Sequence, residues 1–267
     1  MESAQQSTLT PGGPPALVTR VNDTQWQAVA DGQVVGCGDV SFRPDGRAFL
    51  SIDAWHQAVF DRIAAEMAAA LPMPLYTLVD EADRDLRSGW TRVGFAVGRR
   101  EREYVLPTDP HVTGLDERRV PLSDMTILPA GEAAAAPLRA LADTVRAEVE
   151  ATVGWRTMPA EVLPRPAGTT VVDPLKYAVA VRSGQYVGLV RLSPHIRQPR
   201  IGLLAVLAEQ RRQGVARALL AHALGSLHRA GTDSARAEVT ETNAAAVALF
   251  EGIGARHVGS SLELVLR

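Results

Sequence analysis

The chain repeats itself. The stretch "QAVADGQVVG" (Gln27–Gly36) returns as "AVAVRSGQYVG" (Ala178–Gly188), and "GFAVGRREREYVL" (Gly94–Leu106) returns as "GARHVGSSLELVL" (Gly254–Leu266). Each member of the first pair is apolar and β-branched, then turns through a glycine, then is apolar again, which is the pattern of a hairpin. Each member of the second pair follows a short helical stretch and closes in an alternating strand. The echoes come in the same order, 58 positions apart from Gly36 to Gly94 and 66 apart from Gly188 to Gly254. Two copies of one supersecondary plan explain this better than chance likeness of two hairpins.

Between the copies lies "PTDPHVTGLDERRVP" (Pro107–Pro121), rich in Pro, Asp and Arg and without periodicity. It reads as a linker. The expected organisation is a tail over 1–15, a first lobe over 16–107, a linker over 108–121 and a second lobe over 122–267. In the second lobe, strands are expected at Asp124–Leu128, Lys176–Arg182, Tyr186–Leu192, Arg200–Leu207, Ala235–Thr240 and Ser261–Leu266. Helices are expected at Glu132–Val153, Gln213–Ala230 and Ala244–Glu251. "WRTMPAEVLPRPAGTT" is a Pro-rich loop. In the first lobe a hairpin (Trp26–Phe42), strands at Arg47–Ile52, Leu75–Val79 and Glu101–Leu106, and helices at Ala58–Leu71 and Glu81–Ser88 are expected. No counterpart of the long helix Glu132–Val153 is visible there, so the first copy is the incomplete one. Strands and helices alternate with hairpins between them, which gives an α/β class with a mixed sheet flanked by helices.

The formal net charge is −2, so no global basic field attracts nucleic acid or an anionic membrane. Any anion must be held locally. The single cysteine, Cys37, has no partner for an internal disulfide, and Cys/His zinc spacing is absent, so no metal is expected. A small buried apolar role is the ordinary one for Cys37. "MESAQQSTLTPGGPP" lacks the basic start and apolar run of a signal peptide, and no stretch is long and apolar enough to span a bilayer. A cytoplasmic protein, monomeric or homodimeric, is expected.

The strongest chemical signal is "EQRRQGVARALL" (Glu209–Leu220), set between a strand and a helix. The first N–H groups of a helix lack intrahelical partners and point out along the positive end of its dipole, which suits a phosphate or diphosphate. Gly214 removes the side chain where backbone must approach the ligand. Ala216 keeps the next turn small, and Arg211 and Arg212 can add charge-assisted hydrogen bonds. There is no Gly-Lys-Ser/Thr, so this is not a P-loop. "GCGDVS" (Gly36–Ser41) mimics part of a Gly-x-Gly-x-x-Gly loop but lies within a hairpin, and reads as a strand.

The run Arg211-x-x-Gly214-x-Ala216 resembles the Arg/Gln-x-x-Gly-x-Gly/Ala loop of the GCN5-related N-acetyltransferase (GNAT) superfamily. "LLAVLAEQ" before it resembles that family's central strand. "NAAAVALFEGIGA" (Asn243–Ala255) resembles its Asn-x-x-Ala-x-x-Leu-Tyr-x-x-x-Gly-Phe segment, with Asn243, Ala246, Leu249 and Gly254 in register. The resemblance covers about 122–267 and implies the acyl-CoA N-acyltransferase fold in two tandem lobes, the first degenerate, an architecture similar to the actinobacterial mycothiol synthases. It implies acetyl-CoA as cosubstrate and a small-molecule primary amine as acceptor. The implied cofactor contacts are Leu204, Val206, Arg211, Arg212, Gln213, Gly214, Val215, Ala216, Asn243 and Phe250. In the first lobe, "HQAVFDRIAAEM" offers no arginine–glycine loop, so no competent coenzyme A site is expected there.

The resemblance assigns polarisation of the thioester carbonyl to the backbone N–H of Val206. The base that takes the amine's proton is open among Glu241, Glu238 and His195 in "SPHIRQP", with Glu241 favoured. The family's leaving-group tyrosine falls on Phe250, which has no hydroxyl. Water, Ser260 or Ser261 then substitutes, or a thiolate of pKa ~8.5 leaves unaided. That departure also keeps open a coenzyme A-binding module without turnover.

Overall fold

A computed structural model describes residues 16–115, 124–154, 172–193 and 198–267. The expected tail 1–15, linker residues 116–121, the Pro-rich loop and His195 lie outside the described residues. The chain forms two compact units: 1–99 with 262–267, and 100–261.

The first unit contains β1 (Leu17–Asn22), β2 (Gln25–Ala30), β3 (Gln33–Phe42), β4 (Ala48–Ala54), α1 (Gln57–Ala70), β5 (Leu75–Asp80) and α2 (Arg84–Arg92). The second contains α3 (Pro110–Thr113), β7 (Met125–Leu128), α4 (Ala135–Glu150), β8 (Tyr177–Arg182), β9 (Gln185–Ser193), β10 (Arg200–Val206), α5 (Val215–Arg229), β11 (Ser234–Thr240) and α6 (Ala244–Glu251). Two long strands, β6 (Ala96–Pro107) and β12 (Arg256–Leu266), divide their residues between the units. In the first unit the strand order is β1-β2-β3-β4-β5, then the end of β12 and the start of β6; in the second it is β7-β8-β9-β10-β11, then the rest of β6 and of β12. Each fourth and fifth strand, β4/β5 and β10/β11, is a parallel pair, whereas β1/β2, β2/β3, β3/β4, β6/β11, β7/β8, β8/β9 and β9/β10 are antiparallel.

The duplication is visible at single-residue level. Both hairpins turn on two residues with positive φ, Asp31 (51°) and Gly32 (77°) in one, Ser183 (49°) and Gly184 (76°) in the other. Those are type I′ turns, whose twist matches that of the strands. Both carry a register shift at the same place, after Ala28↔Gly36 and after Ala180↔Gly188. Each of those glycines seats a helix. A Cβ on Gly36 would meet Ile63 and Val59 of α1 at 3.0 Å, and one on Gly188 would meet Val215 and Leu219 of α5 at 3.1 and 3.2 Å. The second echo holds as well: Gly94 and Gly254 follow α2 and α6 with positive φ, and the next residue returns a hydrogen bond to Trp90 in one case and Phe250 in the other.

Where the copies differ, the first is the shorter. β1 passes to β2 through two residues, whereas β7 and β8 are separated by α4 and the chain that follows it. Three residues separate Trp55 from Val59 at the start of α1, but seven separate the corresponding Leu207 and Val215. The arginine–glycine loop is that extra length.

Several expectations are corrected. β1 was not anticipated, because its residues LVTRVN show no apolar/polar alternation, and it is exposed along nearly its whole length. The start of the linker region is packed into the second unit: Asp109 caps α3 by accepting from His111 N (2.8 Å), Pro110 opens that helix, and Leu115 is 2% exposed. The compact units divide at Arg99/Arg100 and not in the linker, and Leu262–Arg267 lie in the first unit. Buried Glu263 supplies a reason, since its carboxylate pairs there with Arg47 (3.3 Å) and Arg99 (3.2 Å). Cys37 is half-exposed, not buried. Gly36 and Gly38 on either side of it face α1, and alternation turns Cys37 to the other face. Among the described residues no helix is long and apolar enough to cross a membrane.

Candidate functional site

The second unit's parallel pair does not stay together. β10 and β11 are in register only at Arg200↔Arg236 and Ile201↔Ala237. β11 continues to Thr240 against β6, and β10 continues to Val206 against β9, so the two part from Gly202 onward. The cause is local. The β9/β10 register shifts between Ile201 and Leu203, leaving Gly202 as an extra residue, and a bulge bends and twists the strand that carries it.

The orientation of the freed edge follows from hydrogen-bond parity. Leu207 N donates to Val187 O (3.0 Å), so Leu207 and Val187 are a hydrogen-bonded pair. In an antiparallel ladder such pairs alternate with pairs that face away. Val206↔Gly188 and Leu204↔Val190 are therefore the pairs whose backbone groups point away from β9. The N–H groups of Leu204 and Val206 face the side that β11 has left. Residues 203–207 are half-buried, which makes the gap a slot and not an open surface.

The loop Arg211–Gly214 and the start of α5 follow directly. α5 begins at Val215, two residues later than expected, because Arg212 (φ 65°) and Gly214 (φ 82°) both take left-handed backbone. Gly214 is the N-cap, and no side chain caps the helix. Among the described residues the N–H groups of Gly214, Val215 and Ala216 have no hydrogen-bond acceptor. Left-handed backbone at a non-glycine such as Arg212 is uncommon and persists where the surroundings enforce it. The sunk side of α5 holds the frame: Val215, Leu219, Leu220 and Leu224 are each 1% exposed or less.

Arg211 has a different task from the one expected. Its Nε donates to Val206 O (3.1 Å), and its Nη2 pairs with Glu148 of α4 (2.8 Å). Glu148 also accepts from Ala208 N with both oxygens (3.0 Å each). Arg211 is thus a strut between strand end, loop and helix, whereas Arg212 is exposed. Glu148 was missed by sequence reading, since nothing local marks one glutamate of an amphipathic helix.

The expected base is also corrected. Glu241 follows β11, and its carboxylate is held by Arg102 Nη2 (3.0 Å) and Arg100 Nη1 (3.2 Å). The hydrogen bond from Arg102, against a smaller desolvation effect, sets its pKa below the usual carboxylate range, with Arg100 adding to the shift. Such a carboxylate stays ionised at neutral pH and takes a proton poorly. Glu238 is similarly engaged, by Arg200 (2.6 Å). Asn243 caps α6 by accepting from Ala246 N (3.1 Å) and is exposed, and Asp83 caps α2 in the same way. Phe250 is 4% exposed in the core, its ring 5.9 Å from that of Tyr104. Packing is therefore its role. Tyr104 does not replace the missing hydroxyl, because its own donates to Glu251 (3.1 Å). Ser260 Oγ lies 3.2 Å from His257 Nε2.

In the first unit β4 and β5 also part after two registered pairs, Ala48↔Leu75 and Phe49↔Tyr76. There, however, β4 has no bulge, and the buried hydroxyl of Thr77 on β5 donates to Leu50 O on β4 (2.9 Å), tying the two together. α1 starts at His56–Gln57 without the loop.

A bulged central strand parted from its parallel neighbour, with an uncapped helix start at its end, defines the acyl-CoA N-acyltransferase fold. Residues 147–255 match the model of the acetyltransferase (GNAT) family. Solved structures of this fold resemble most of the chain. A GCN5-related N-acetyltransferase from Sphaerobacter thermophilus has a TM-score of 0.64 at 16% identity, over 93% of this chain and 82% of its own. A tandem GNAT protein from the clavulanic acid biosynthesis pathway has 0.59 at 13%, over 95% and 84%. A GNAT-family acetyltransferase from Colwellia psychrerythraea has 0.59 at 14%, over 91% and 85%. No curated protein matches the sequence.

Proposed function

We propose that the chain transfers an acetyl group from acetyl-CoA to the primary amine of a small molecule, by direct attack with both substrates bound. The observation that carries this is the freed edge of β10, with the N–H of Val206 facing the slot, beside the unpartnered amides of Gly214, Val215 and Ala216. The diphosphate of acetyl-CoA seats on those amides at the positive end of α5, with Arg212 as its cation. The pantetheine arm runs along Leu204 and Val206 as an added strand would. Val206 N–H then polarises the thioester carbonyl. Asn243, exposed with its amide nitrogen available, borders the arm. The half-buried slot favours a slender amine, and the cytoplasm supplies the donor.

Glu241 and Glu238 are held by guanidiniums, so the amine loses its proton through water. Glu241→Gln is expected to lower kcat by less than about threefold, short of the factor of 10² or more that loss of a general base costs. The rising limb of kcat/KM against pH is expected to follow the pKa of the amine in both proteins. A pH profile whose acid limb disappears in Glu241→Gln restores the carboxylate as the base.

Buried Phe250, without a hydroxyl, favours one rival reading, a coenzyme A-binding module without turnover. Calorimetric titration with coenzyme A, paired with thiol release from acetyl-CoA across a panel of amines, separates the two. Binding with Kd on the order of 1 μM–1 mM and thiol release with at least one amine is the expected result. Binding without thiol release for any amine supports the module, and no binding removes both readings.

A further inference from the structure

The loop between β10 and α5 is held from a place that the family motif does not include. Arg182 ends β8, 28 positions before Gln210 and 31 before Gln213. Its Nη1 donates to Gln210 Oε1 (2.7 Å) and to Gln213 Oε1 (2.5 Å), the residues on either side of Arg211 and Arg212. Its Nε faces Asp124 Oδ2 at 3.2 Å. The side chain of Arg182 is 13% exposed; its bond to Gln210 is part-buried and its bond to Gln213 is exposed. Gln213 is fixed a second time, its Nε2 donating to Glu209 O (2.9 Å).

We infer that Arg182 is a positioning residue for the diphosphate of the donor, holding the left-handed turn at Arg212 in its binding form through Gln210 and Gln213. The inference rests on the proposed donor site. The physical argument concerns order. A loop of eight exposed or half-exposed residues, 207–214, with a non-glycine at φ 65° has other conformations available, and binding a ligand to one of them costs whatever is needed to select it. One guanidinium bonded to both flanking glutamines removes much of that freedom before the ligand arrives. Arg182 can do this because its β-strand is fixed on two sides, by β7 and by β9. A charged donor on a neutral amide oxygen is also among the stronger hydrogen bonds. Arg211, tied to Glu148 and Val206 O, secures the loop's other side.

The two glutamines are what make this specific. An arginine at the end of a hairpin strand is unremarkable by itself, and its ion pair with Asp124 would serve solubility or strand pairing equally well. Convergence on Gln210 and Gln213 makes the loop, and not the hairpin, the element that depends on it.

The test uses the full chain with Arg182→Met, Arg182→Lys and the double change Gln210→Ala/Gln213→Ala. Affinities for coenzyme A, which carries the diphosphate, and for pantetheine, which does not, are measured by calorimetry, with a thermal melt for each protein. Arg182→Met is expected to weaken coenzyme A about tenfold and leave pantetheine within about twofold, a contrast that general damage to the fold does not give. Arg182→Lys, which reaches one glutamine, is expected to fall between. Arg182→Met combined with the double change is expected to be no worse than either alone, as for groups in one network. Equal affinity of Arg182→Met and parent for coenzyme A overturns the inference, as does equal loss for both ligands. If the parent itself binds no coenzyme A, the proposed donor site fails and takes the inference with it. If the arginine variants melt early, the glutamine pair alone decides, by the same two affinities.

Discussion

Gly214→Asp is expected to weaken coenzyme A binding by at least about a hundredfold, some 2.7 kcal/mol, while the melting temperature stays within a few degrees of the parent. Gly214 caps α5 with left-handed backbone, φ 82°. Asp is among the non-glycine residues most tolerant of that region, so the backbone penalty is about 1–2 kcal/mol at most. The buried side of α5, from Val215 to Leu224, is untouched. A carboxylate near the first turn also favours the helix, since it meets unpartnered N–H groups at the positive end of the dipole. What stabilises the free protein opposes the ligand: the new carboxylate occupies the amides and repels the diphosphate. Gly214→Ala carries the backbone cost without the charge, and is expected to weaken binding about tenfold less than Gly214→Asp. Calorimetry on both variants gives the comparison. If Gly214→Asp binds as the parent does, the diphosphate sits elsewhere.

That site was largely legible because its parts are contiguous in the chain. The strand, the loop and the helix start occupy Arg200–Arg229, and one of the loop's two left-handed residues is a glycine. The hairpin echo was legible for the same reason: Asp31-Gly32 and Ser183-Gly184 write their turn type locally, and Gly36 and Gly188 mark where a helix presses on a strand. What stayed hidden depends on partners far apart. Glu241 looks like a free carboxylate until Arg100 and Arg102, 141 and 139 positions away, are brought to it. Glu148 meets Ala208 N and Arg211 across 60 and 63 positions. The membership of Leu262–Arg267 in the first unit depends on Glu263 finding Arg47 across 216 positions, and an alternating strand reads the same whichever sheet it joins. β1 escaped for the opposite reason, its residues LVTRVN showing no apolar/polar alternation to read.

The degenerate lobe acquires physical content from the same comparison. Four residues fewer before α1 remove the loop, and the absence of a bulge in β4 lets Thr77 close the parting with one hydrogen bond to Leu50 O. The split between parallel strands is thus a property of the repeated plan. The bulge at Gly202 and the inserted loop are what the second unit has and the first lacks.

Val206→Pro separates binding from chemistry. Proline removes the N–H and keeps the carbonyl, so Arg211 Nε retains its acceptor on Val206. Because Leu207 N donates to Val187 O, the Val206 N–H lies outside the β9 ladder, and its loss breaks no strand hydrogen bond. Proline is tolerated where a strand's N–H faces away from its partner, and Ala205 before it is already extended. Affinity for coenzyme A is expected to change by less than about fivefold, since the diphosphate amides lie beyond the substitution. The expected loss is in kcat, about 10²–10³-fold, the cost of one donor to a developing oxyanion. Val206→Ala, which keeps the N–H, is expected to stay within about threefold of the parent. Single-turnover rates at saturating acetyl-CoA measure this directly. An unchanged rate in Val206→Pro moves the donor to another group, and with it the reason for the strand to stand apart from its neighbour.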